Sequence, residues 1–158
     1  MRLAYVFGLR TKEAVEACKS LSTWQRAVES GDKSIRVVFG TKGGRPRDTT
    51  IIDRDEARRA ILYAEKEAQE RNGKLIDKPG IHQAINRYRY FVRKAGLNGE
   101  KAPHSMRYNF ARELSEYHKA NGFNEKEVLA MVSMDLGHGD GRGRYIRQVY
   151  YRNAKEAE

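Results

Sequence analysis

The residues able to do chemistry crowd into one third of the chain. Between Pro103 and Tyr151 lie His104 and Arg107, then Leu136-Gly137-His138, then tyrosines at 145, 150 and 151. An imidazole can move a proton near neutral pH, and a guanidinium stays charged at any working pH. A phenol is a candidate nucleophile once a neighbour accepts its proton. Upstream, two residues in suitable context, Arg10 and Lys42, could join this set.

The totals narrow the partners. At 158 residues the chain is long enough for one compact domain, residues 1–158, with its own core. Apolar residues make up 39% and charged residues 33%, a globular balance. The formal charge of +10 points to a polyanion, with nucleic acid ahead of an anionic membrane surface. No apolar run reaches membrane-spanning length, and the N-terminus lacks the pattern of a secretory signal. The single cysteine, Cys18, excludes an internal disulfide and a cysteine-based zinc site, so a reducing cytosol is the expected compartment. Because candidate chemistry begins within a few residues of Met1, the chain reads as a fragment of a larger protein.

The elements that must position these groups can be read in order. Gly8 breaks what precedes it, and Thr11 is expected to cap a helix with Glu13 in its first turn. Arg10 can reach Glu13, which on the plainest reading is a surface ion pair. Trp24–Val28, Ser34–Phe39 and Asp48–Ile52 read as three antiparallel strands, with turns at Gly31-Asp32 and at Lys42-Gly43-Gly44-Arg45-Pro46. The second tip presents Lys42, Arg45 and Arg47 either to a phosphate backbone or merely to solvent. Asp53 caps a helix that runs through Ala57, Ile61, Ala64 and Ala68 and stops at Asn72-Gly73. A helix over Ile81 to Lys94 carries Ile85, Tyr88 and Val92 among arginines, with its tyrosines read as core before nucleic-acid stacking.

In the helix opening at Pro103, Met106, Phe110, Leu114 and Tyr117 form the buried stripe. His104 and Arg107 share a different face and can reach one external point. Asn124-Glu-Lys-Glu127 is a capping box, and Gly137 ends its helix so that His138 turns out. Gly139–Gly143 matches no phosphate-loop fingerprint and reads as a connector.

Taken in order, four motifs resemble the catalytic domain of the tyrosine recombinases, the phage integrases. Gly8-Leu9-Arg10-x-x-Glu13-Ala14 is similar to the family's first arginine box, and Thr41-Lys42-Gly-Gly-Arg-Pro-Arg47 to its hairpin lysine. His104-Ser-Met-Arg107-Tyr-Asn-Phe-Ala111 resembles the His-x-x-Arg box, and Leu136-Gly137-His138 with a tyrosine beyond resembles the closing motif. The resemblance spans Gly8 to Tyr151. With the element pattern it implies a mainly helical α+β fold, a small three-stranded antiparallel sheet packed against a helical bundle. It also implies that an N-terminal DNA-clamping domain is absent from this chain.

The resemblance further implies cleavage and rejoining of DNA through a 3′-phosphotyrosine, with no metal or nucleotide cofactor. Arg10 and Arg107 would clamp the non-bridging oxygens, where attack accumulates negative charge. His104 would be the base, His138 a second phosphate donor, Lys42 the general acid for the departing 5′-oxygen, and Glu13 the holder of Arg10. Arg45 and Arg47 would contact DNA. Arginine, as Arg147, stands where the family's tyrosine is expected, and the glycine-rich insert accounts for the delay. Tyr150 is therefore the expected nucleophile, Tyr151 the next choice and Tyr145 the third.

The implied partner is double-stranded DNA, with a tetramer on DNA, a monomer without it and no membrane. The implied setting is the cytoplasm of a bacterial or phage-infected cell, at the nucleoid. Two alternatives share parts of this pattern: a non-catalytic DNA-binding regulator derived from the same fold, and a type IB topoisomerase. The short chain and the Leu-Gly-His motif count against the topoisomerase.

Overall fold

The computed structural model describes residues 1–97, 102–138 and 146–148. Among them, seven helices and one two-stranded sheet follow in the order α1 (Arg2–Phe7), α2 (Thr11–Glu16), α3 (Leu21–Glu29), β1 (Ser34–Val37), β2 (Arg47–Thr50), α4 (Arg54–Gln69), α5 (Ile81–Lys94), α6 (Ala102–Ala120) and α7 (Glu125–Asp135). The mainly helical α+β class is as expected; the third strand is not there. Trp24–Val28 lies inside α3 instead. Leu21, Trp24 and Val28 are its buried residues, spaced three and four apart, which is a helical stripe rather than an alternation. Trp24 packs on Phe7 with ring centroids 5.6 Å apart, and its indole N–H donates to the Arg36 carbonyl at 2.8 Å. A large β-prone side chain thus braces the sheet from a helix.

The sheet is antiparallel, with Ile35 opposite Thr49 and Val37 opposite Arg47. Because side chains alternate across a strand, this register turns Ile35, Val37, Arg47 and Thr49 to the same, buried face. Between the strands a short helical turn, Lys42–Gly44, puts Gly43 and Gly44 at positive φ and leaves Lys42 and Arg45 exposed.

The caps expected at Asp53 and Asn124 hold. The Asp53 carboxylate accepts the Glu56 N–H at 3.0 Å. Asn124 and Glu127 exchange bonds of 2.8 and 3.0 Å in a reciprocal box. Arg10, rather than Thr11, occupies the cap position of α2.

Two apolar clusters form the core. One gathers residues of α1 to α5 and the sheet with Met106 of α6; the other joins Phe110, Ala111 and Leu114 to Val128, Val132, Leu136 and Ile146. On α5 the tyrosines divide: Tyr88 is buried and Tyr90 exposed. The two clusters meet at Gly8, whose left-handed φ of 61° lets Phe110 approach; a Cβ there would stand 2.4 Å from the Phe110 ring. This contact brings the end of α1 against α6, and so sets Arg10 beside Arg107.

Candidate functional site

Three arginines and one glutamate meet where the ends of α1 and α7 approach α2, α6 and β2. Glu13, in the first turn of α2, is 1% exposed. Its Oε1 accepts Arg10 Nη1 at 3.0 Å and Arg47 Nε at 3.3 Å, while its Oε2 accepts Arg47 Nη2 at 2.6 Å and the Arg10 backbone N–H at 3.1 Å. The Arg10–Glu13 pair, expected at the surface, is therefore an interior one on the carboxylate side. Burial alone would raise the Glu13 pKa. The hydrogen bond and charge of Arg47, then the charges of Arg107 and Arg10, outweigh it and hold the carboxyl below the ordinary glutamate range.

Arg107 is 1% exposed, which the open face expected for it did not foresee. Its Nη1 donates to the Gly8 carbonyl at 2.6 Å and its Nη2 to the Leu136 carbonyl at 2.9 Å. Arg10 Nη2 donates to the same Leu136 carbonyl at 3.0 Å. Two guanidinium groups from distant parts of the chain thus converge on one backbone oxygen. Gly137 makes room for this: its φ is 79°, and a Cβ there would lie 3.0 Å from Arg47 Cδ and 3.3 Å from Arg10 Nη1. Three guanidinium charges against one glutamate carboxylate leave the cluster with excess positive charge, the electrostatic requirement for holding an anion.

His104 sits one turn before Arg107 on α6. Although much of the residue is exposed, burial of its ring, then the charges of Arg107 and Arg10, keep its pKa below the ordinary histidine value. Both effects favour the neutral over the charged imidazole. His138 follows Gly137 directly and is half-buried, with its backbone N–H on the Ser133 carbonyl at 2.9 Å. Arg10 and Arg107 are thus drawn from the start of α2 and from α6 to one place beside Glu13 with His104 a turn away, and His138 follows the Leu136-Gly137 turn that they contact.

Lys42 and Arg45 remain on the exposed loop. That loop is pressed onto α2 at Gly40, where a Cβ would lie 2.7 Å from the Lys12 backbone carbonyl and 2.8 Å from the Glu13 nitrogen. Arg47 corrects the expectation of an exposed basic tip. It is 6% exposed, because the strand starts at Arg47 and the register points it inward. Tyr150 lies outside the described residues, as do Tyr145, Tyr151 and Gly139–Gly143. Arg147, in the expected tyrosine slot, is exposed with its guanidinium 3.8 Å from Glu125.

The carbonyls of Gly8, Asp135 and Leu136 accept from the clustered arginines, which residue types could not announce. Arg47 had a signal: Arg47 and Thr49 alternate with Asp48 and Thr50. Among the described residues no group of three or more His, Cys, Asp or Glu is placed to hold a metal ion. A 340 Å³ cleft lined by Leu3, Ala60, Ala64, Tyr88 and Phe91 contains none of the site residues.

The site thus gathers Arg10, Arg47 and Arg107 around Glu13, with His104 one turn before Arg107 on α6. The family model described as Integrase matches residues 1–113, more than two thirds of the 158-residue chain, which belongs to the integrase family and has an integrase-related function. The match covers Arg10, Glu13, Lys42, His104 and Arg107 and ends before His138 and Tyr150. No curated protein and no solved structure matches the chain. No helix among the described residues is long and apolar enough to cross a membrane.

Proposed function

We propose that this chain is the catalytic domain of a site-specific DNA recombinase, which cleaves and rejoins strands through a 3′-phosphotyrosine and so integrates or excises a phage or other mobile element. The observation that carries the reading is the convergence of Arg10 and Arg107 on the Leu136 carbonyl, with His104 one turn before Arg107 on α6. Arg10 and Arg107 hold the non-bridging oxygens as charge accumulates there, and His138 adds a donor. His104 takes the phenol proton as Tyr150 attacks phosphorus. The bond to the 5′-oxygen breaks, and Lys42, carried on its exposed loop, supplies that oxygen's proton. Religation reverses the step: the incoming 5′-hydroxyl attacks the phosphotyrosine and releases the phenol. Arg45 contacts the duplex, a preceding clamp domain completes the grip, and the active assembly is a tetramer on DNA.

A second reading, a DNA-binding regulator without strand transfer, draws on the depth at which Arg107 is buried on protein carbonyls. A nicked suicide duplex separates the two. The recombinase traps itself covalently on the duplex, and Tyr150→Phe abolishes the trap while Tyr145→Phe keeps it. The regulator binds with log affinity falling linearly against log salt and forms no adduct.

A further inference from the structure

We propose that Arg47 is a positioning residue for the strand-transfer site, fixing Glu13 and the end of α7 so that Arg10 is held between them; this rests on the reading of the site given above. The geometry sets it apart from a surface DNA contact. Its guanidinium bonds both oxygens of Glu13 on α2, reaches the Gly8 carbonyl at the end of α1 at 3.4 Å, and donates to the Asp135 carbonyl at the end of α7.

Both contacts of the Arg10 side chain are thereby pinned. Arg10 Nη1 rests on Glu13 Oε1, the oxygen that Arg47 Nε also holds. Arg10 Nη2 rests on the Leu136 carbonyl, in the peptide unit next to the one Arg47 grips. Only a planar fork of five donors can serve three elements at once; a lysine ammonium is a single point of charge. Replacing Arg47 and Glu13 together by apolar residues would cost little stability, since burying an ion pair costs desolvation that its attraction barely repays, but removing Arg47 alone leaves Glu13 buried without its main partner. Arg47 also contributes the strongest interactions keeping Glu13 ionised against burial.

The test uses Arg47→Met and Arg47→Lys beside Val28→Ala, a truncation in the buried core outside the cluster. Three quantities are read: the Arg10 side-chain Nε–H signal by NMR, the Kd for a duplex chosen by the wild type from a random pool, and single-turnover cleavage of that duplex when nicked. Arg47→Met should average or lose the Arg10 signal and slow cleavage by about 100-fold, the scale of removing one transition-state donor. Duplex affinity should change by less than about threefold, because most affinity comes from backbone contacts elsewhere. Arg47→Lys should recover only part of the rate, and Val28→Ala should leave all three readouts near wild type. A rate kept while affinity falls would make Arg47 a DNA contact and overturn the inference. So would an Arg10 signal unaffected by Arg47→Met. If the wild type forms no adduct, the strand-transfer reading fails by itself, and the Arg10 signal still decides whether Arg47 positions it.

Discussion

Gly137→Ala separates backbone strain from loss of the arginine clamp. The φ of Gly137 is 79°, and that of Gly73, at the end of α4, is 78°. A Cβ at Gly73 meets nothing within 4 Å, whereas at Gly137 it meets Arg47 Cδ at 3.0 Å and Arg10 Nη1 at 3.3 Å. The left-handed conformation costs alanine about 1–2 kcal/mol. The reduced freedom of alanine in the unfolded chain offsets about 0.4–1 kcal/mol of that. Both variants should therefore lose about 1 kcal/mol from strain, as the balance of these two effects.

At Gly137 something must also move. Arg47 is held by Glu13, Gly8 and Asp135, while the Arg10 side chain is 19% exposed, so Arg10 yields. A shift of Arg10 weakens its bonds to Glu13 and the Leu136 carbonyl, charge-assisted contacts worth up to about 1.5–3 kcal/mol each when intact. Displacing a transition-state donor costs up to about 10²–10³-fold in rate. Urea unfolding reads the first effect and single-turnover cleavage the second. Gly73→Ala should cleave at the wild-type rate, and Gly137→Ala should be slower by at least about tenfold, the lower end for a donor displaced rather than deleted. Equal cleavage by the two variants would refute the claim that the Leu136–Gly137 turn sets the arginines.

Other consequences follow from the same structure. The lowered pKa of His104 puts the acid limb of the cleavage-rate profile below about pH 6.5, with activity rising as the imidazole deprotonates. Its contribution to stability has the same sign, present above the unfolded value and lost as pH falls towards the folded one; an acid limb above about 6.5 would contradict both. Glu13, also lowered, contributes stability above its unfolded pKa that is lost as pH falls through the folded one, so acid titration of Glu13→Gln should show a flatter stability curve than wild type. Gly8→Ala should destabilise more than Gly73→Ala, by about 1–3 kcal/mol of overpacking against Phe110, read as a lower urea midpoint. His118 is buried between Tyr117 and Phe123, and its Nε2 lacks a hydrogen-bond partner among the described residues, so His118→Phe should be neutral or stabilising by about 1 kcal/mol in the same assay.

Local signals carried much of this fold. The caps at Asp53 and Asn124, the left-handed stop at Gly137 and the stripe of α6 are each decided within a few residues, and each matches the structure. Trp24–Val28 misled because a short window with tryptophan and valine suits a strand, whereas the buried spacing extends back to Leu21. The motif residues Arg10, Glu13, His104 and Arg107 announced themselves by type and order. Their depth did not, because burial of Arg107 depends on carbonyls at Gly8 and Leu136, far away in the chain. Arg47 was misplaced by a one-residue difference in where the second strand begins, and in a sheet one residue decides between inside and outside.

The most direct measurement is covalent trapping of wild-type protein on a nicked duplex that it selects from a random pool, followed by peptide mapping of the modified residue. A DNA adduct at Tyr150 is expected, and it should disappear in Arg107→Ala without loss of duplex binding. Tight binding with no adduct, or an adduct that survives Arg107→Ala undiminished, would contradict the reading.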